Sequence, residues 1–150
     1  MGGIGEELEE VGLGRVIHTE NIGRERLNLQ RSIILALREL MRQQQADRHT
    51  QDLAAYISLA LVEISDTVET SVTAWEKRDY WLKADRFRME WAWAGKLGQA
   101  LRVALLADDW GQVALVSAQV GEKLKNIEVP QRHKLGTPWV GAWERLTAKK

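Results

Sequence analysis

Cysteine is absent from the 150 residues, which excludes disulfides and thiolate metal sites and leaves the redox compartment open. Proline occurs only at Pro130 and Pro138, so nothing before residue 130 forbids long helices. No apolar run approaches the ~18 residues of a membrane span, and the opening MGGIGEELEE is acidic where a signal peptide would be basic and then apolar. No membrane association is expected, and a soluble cytoplasmic protein is the default. Net charge is missing too: 21 basic residues balance 21 acidic ones, so no global field draws the chain onto nucleic acid. The length suits a single domain that buries roughly two-thirds of the surface of its unfolded chain.

What is present is a helical period. Leu27, Ile33, Ile34, Leu37, Leu40 and Met41 recur at spacings of three and four with arginines between them, predicting an amphipathic helix over 21–47. Thr50 is the expected N-cap of a second helix, 51–77, with a buried stripe of Leu53, Ile57, Ala60, Leu61, Ile64, Val68, Val72 and Trp75. Asp79 is the expected cap of a third helix, 80–107, and Asp108 or Asp109 of a fourth, 110–126, carrying Val113, Val116, Val120 and Leu124. TPWVGAWERL places Thr137 at an N-cap and Pro138 at the first helical position of a short terminal helix.

The expected fold is therefore all-α: an antiparallel up-down four-helix bundle with a short C-terminal helix packed on it and a mobile N-terminal tail. Residues 1–20, with a charge of −4, form the flexible acidic tail; 21–126 form the bundle; 127–150, with a charge of +3, form an extension bearing Trp139 and Trp143. The opposite charges of the two ends would let them lie together.

The third helix is the most informative. Tyr80, Ala84, Phe87, Trp91, Ala94, Gly98, Leu101 and Leu105 make a core seam flanked by Trp81. Met89, Trp93, Leu97, Ala100 and Ala104 make a second apolar stripe on another side. This helix is expected to be the most enclosed of the bundle, its second stripe covered by Trp139 and Trp143 or by another subunit. The small residues Ala94, Gly95 and Gly98 permit close helix approach under either reading. Its charges are expected to compensate locally, Asp79 with Lys83 and Arg86 with Glu90, which argues against a nucleic-acid surface.

The candidate interface is thus Met89, Trp93, Leu97, Ala100, Trp139 and Trp143. The seven tryptophans also suggest a pocket between helices two and three, with Trp75, Arg78, Trp81, Lys83 and Arg86 at its mouth. His18, His49 and His133 have no metal-ligand spacing, GLGRV at 12–16 lacks the rest of a phosphate loop, and the serines sit mid-helix without a strained elbow. No cofactor is implied.

Glu63, Asp66 and Glu69 in LVEISDTVE could share one helix face as metal ligands. This stretch resembles the ExxD half of the all-α nucleotide pyrophosphatases related to MazG, a resemblance that implies magnesium and substrate phosphates at those carboxylates. The family's other half, an ExxE on the preceding helix, has no counterpart, since Glu39 stands alone in LALRELMRQQQ. The leading expectation is a non-enzymatic interaction or assembly protein, a homodimer through the third helix or the binder of a protein partner. The alternatives are a small-molecule-binding bundle with an aromatic pocket and a metal-dependent nucleotide phosphohydrolase.

Overall fold

The computed structural model describes residues 21–148. The expected acidic tail over 1–20, with His18 and the glycines at 12–16, lies outside the described residues. Five helices follow one another: α1 (Ile22–Met41), α2 (Arg48–Glu76), α3 (Trp81–Leu106), α4 (Trp110–Lys123) and α5 (Ala142–Ala148). The first four form the antiparallel bundle, and α5 packs on α2.

The predicted stripes are where the helices meet. Leu53, Ile57, Ala60, Leu61, Ile64, Val68 and Val72 of α2 are buried, as are Ile33 and Leu37 of α1 and Val113, Val116 and Val120 of α4. Burying each of the leucine, isoleucine and valine side chains among them stabilises by about 1.5–3 kcal/mol. On α3 the inward seam holds from Ala84 to Leu105, whereas Tyr80 at its start is exposed.

The most enclosed helix is α2, not α3 as the sequence suggested. Fourteen of the 29 residues of α2 are buried, against six of 26 in α3. The cause is the small side chains of α2. Ala54, Ala55, Ser58 and Ala60 are buried, and α1, α3 and α5 all pack against this one helix. The two helices come close at Gly98 of α3, whose carbonyl accepts from the Ser58 hydroxyl at 2.8 Å.

Helix ends depart from expectation for local reasons. The first helix stops at Met41, because its apolar line ends there and Met41 is itself exposed. Asp47, rather than Thr50, caps α2. Its Oδ1 accepts from the Thr50 amide at 3.0 Å, while the Thr50 hydroxyl reaches the Gln45 carbonyl at 2.6 Å. Asp79 does not cap α3. It adopts a left-handed φ of 64°, and the Tyr80 amide donates back to the Trp75 carbonyl at 2.9 Å, closing α2 in a Schellman turn. Asp108, with φ 55°, repeats this turn between α3 and α4, and Asp109 then caps α4 through the Gln112 amide.

Thr137 and Pro138 do not start the last helix, because Gly141, at φ 79°, breaks the chain direction. The cap comes instead from α2: Asp52 accepts from the Gly141 amide at 3.2 Å and from the Trp143 amide at 2.8 Å.

Candidate functional site

The sequence-derived candidates fall in three places. The first is a cleft of about 800 Å³ beside the α2–α3 turn. Trp75, Trp81, Lys83 and Arg86 line it together with Phe87, Asp79 and Glu90. The fifth predicted member, Arg78, lies with its guanidinium 5.6 Å from the centre of the Tyr80 ring. Trp75 packs edge-on against Phe87 at 5.0 Å, and the Lys83 ammonium stands 4.5 Å over the Trp75 ring, a cation–π arrangement.

The expected helical ion pairs Asp79–Lys83 and Arg86–Glu90 do not form among the described residues. Arg88 takes up carboxylates instead: Glu69 at 3.3 Å, Glu76 at 3.5 Å and Asp85 at 3.6 Å. Two of these acids belong to α2. Arg88 is on the side of α3 that faces α2, so cross-helix pairing wins over pairing along the helix. Among the described residues Lys83 and Arg86 are left without a carboxylate.

The second place is the outside of α3. Met89 is 76% exposed. Trp93, Leu97 and Ala100 are partly buried and pack against the core, with Trp93 stacked on Trp91 at 5.9 Å. Trp139 and Trp143 are also partly buried, but they belong to the segment that packs on α2, so they do not provide the expected cover. The line pointing straight away from the core is Leu82, Met89, Lys96 and Val103, at an unbroken spacing of seven. Leu82 is 64% and Val103 66% exposed. Reading α3 in sevens outward from Met89 would have found both.

The third place is the carboxylate run of α2. Glu63 and Asp66 line a cavity of about 460 Å³ with Tyr56, Arg102 and Arg145. Burial pushes the Tyr56 phenol above its ordinary range, helped by the Glu63 charge and opposed by a Ser32 hydrogen bond and by Arg145. Glu69 is not part of this cavity, because Arg88 holds it through two donors, at 3.3 and 3.4 Å. Among the described residues no group of three acid or histidine side chains could hold a metal ion.

No family model, no curated protein and no solved structure matches this chain. No helix among the described residues is long and apolar enough to cross a membrane.

One residue that sequence reasoning passed over organises this side of the bundle. Arg26 of α1 is only 9% exposed. It donates to the Thr67 hydroxyl at 3.1 Å, the Thr67 carbonyl at 3.2 Å and the Ser71 hydroxyl at 2.9 Å. Its guanidinium lies 4.9 Å from the Phe87 ring centre and 5.9 Å from that of Trp91. Burial lowers its pKa, and no carboxylate pairs with it among the described residues. The signal was its place on the line Ile22, Arg26, Ile33, Leu37.

Proposed function

We propose that this chain is a non-enzymatic assembly module that pairs with a second copy of itself through the outward face of α3. The observation that carries the reading is the exposed line of Leu82, Met89, Lys96 and Val103 at seven-residue spacing, three of its four members large and apolar. A line of period seven keeps one side of each helix facing its partner and supplies one of the two positions per heptad that a two-helix seam uses, with the adjacent Trp93 and Ala100 on its flank. The inward seam of α3 runs on the opposite side, so both can be used at once. The helix is about 39 Å long at 1.5 Å per residue, which gives the seam room for several packed layers.

Light scattering across micromolar concentrations tests this. The expected mass approaches twice 17.1 kDa as concentration rises. Because Met89 and Val103 are exposed, Met89→Glu with Val103→Glu should return the single-chain mass without lowering the melting temperature. A single-chain mass for the unaltered protein throughout the range refutes the proposal.

A further inference from the structure

We infer that the cleft beside the α2–α3 turn binds a small planar aromatic carboxylate. The ring would enter between two aromatic surfaces. Trp75 and Phe87, already braced edge to face at 5.0 Å, form the back wall. Trp81 stands at the opening with 56% of its surface exposed and no partner among the described residues. Exposed indole of this kind gains from a stacked ring both by area removed from water and by the geometry of aromatic pairing.

The charge follows from the cations. Lys83 and Arg86 are three residues apart on α3, which places their Cβ atoms about 5–6 Å apart on one side of the helix. One carboxylate can accept from both. Neither has an ion pair among the described residues, although Arg88, two residues beyond Arg86, gathers three. The acids Asp79 and Glu90 also line the cleft and oppose the anion, so removing either charge should tighten binding. The cleft lies at the turn end of α3 and is lined within one chain, sharing Leu82 but not Met89 or Val103 with the self-association seam, so Met89→Glu with Val103→Glu should leave naphthoate binding unchanged and separates the two proposals.

Titration of the full chain with naphthoate tests it, with naphthalene carboxamide and cyclohexanecarboxylate as neutral and non-aromatic controls. The expected result is quenching of tryptophan fluorescence and shifts confined to the indole N–H signals of Trp75 and Trp81, with both controls at least about tenfold weaker, the scale of a charge-assisted contact. Lys83→Gln with Arg86→Gln should abolish the preference for the acid over the amide, and Glu90→Gln should strengthen binding. These side chains are exposed, so an unchanged far-UV spectrum is expected in each variant. Equal binding of acid and amide, equal binding of the saturated acid, or no shift up to millimolar naphthoate each overturns the inference.

Discussion

Arg26 is the sharpest place to perturb the bundle, because it is a buried cation held without a carboxylate among the described residues. Three hydrogen bonds from a charged donor, each worth about 1.5–3 kcal/mol, offset a desolvation cost of several kcal/mol, and the faces of Phe87 and Trp91 add a further attraction. The net contribution of the charge is therefore small, while the consequence of deleting the side chain is large. Arg26→Ala leaves a void between α1 and α2 and strands the Ser71 hydroxyl, and should cost about 3–4 kcal/mol. Arg26→Met fills the space of the stem without bringing a charge, and the Thr67 hydroxyl still has the Ile64 carbonyl at 2.6 Å. That variant should cost no more than about 1.5 kcal/mol. At about 2–4 °C per kcal/mol for a domain of this size, the alanine variant should melt about 6–16 °C lower. Urea unfolding followed by far-UV circular dichroism separates the two. The reasoning fails if alanine costs less than about 1 kcal/mol, or if methionine costs as much as alanine.

A matched pair of glycines tests the close approach of α2 and α3. A Cβ at Gly98 would meet Leu61 Cβ at 3.1 Å and the Ser58 carbonyl at 3.2 Å, so Gly98→Ala should destabilise by about 1–2 kcal/mol despite its better helix propensity, while Gly23→Ala, in open space, should stabilise by about 0.5–1 kcal/mol. Equal effects at the two sites would remove the argument. Asp52→Ala uncaps α5 from across the fold, and hydrogen exchange should show residues 142–148 opening about five- to thirtyfold more readily, a loss of about 1–2 kcal/mol; unchanged protection there would show that packing alone holds α5. At Asp47 the Thr50 amide, and after it the Thr50 hydroxyl, keep the carboxyl below its ordinary range. The folded pKa is depressed, so this cap stabilises α2 above the usual carboxylate range and its contribution is lost as pH falls through the folded pKa. Asp47→Asn should keep the cap and abolish the pH dependence of the Thr50 amide shift, and a shift that persists in the variant would assign it elsewhere.

The period of the apolar residues made the helices legible, because a buried line must repeat with the turn whatever it packs on. That is why Ile57, Ile64, Val116 and Val120 could be placed before their partners were known. Helix ends were less legible, since neighbouring polar side chains compete for the same amides: Asp47 won over Thr50, and Asp79 was taken by a left-handed turn. The centre of the bundle was misread because alanine and serine contribute little to an apolar pattern, yet they are what lets three helices approach α2. The aromatic cleft was legible in four of its five predicted residues. That its cations, Lys83 and Arg86, have no carboxylate among the described residues was not legible, because pairing along a helix is visible in sequence and pairing between helices, as at Arg88, is not. Arg26 was overlooked for a related reason: an arginine on an apolar line reads as surface until hydroxyls on another helix are seen to receive it.

Lys96 decides how strong the seam on α3 should be. It occupies the same repeat as Leu82, Met89 and Val103, and a lysine at such a position costs pairing stability while restricting which partners and registers are tolerated. The self-association expected here is accordingly reversible and dependent on concentration rather than obligate. Lys96→Leu removes the buried charge and adds one apolar side chain from each chain, each worth about 1.5–3 kcal/mol if fully buried. The dimer dissociation constant should fall by about tenfold or more, while the melting temperature extrapolated to low concentration stays unchanged, because Lys96 is exposed in the single chain. Sedimentation across concentrations measures the first quantity and calorimetry the second. If the leucine variant associates no more tightly than the parent, Lys96 is not in the interface, and the seven-residue line has no role in pairing the chains.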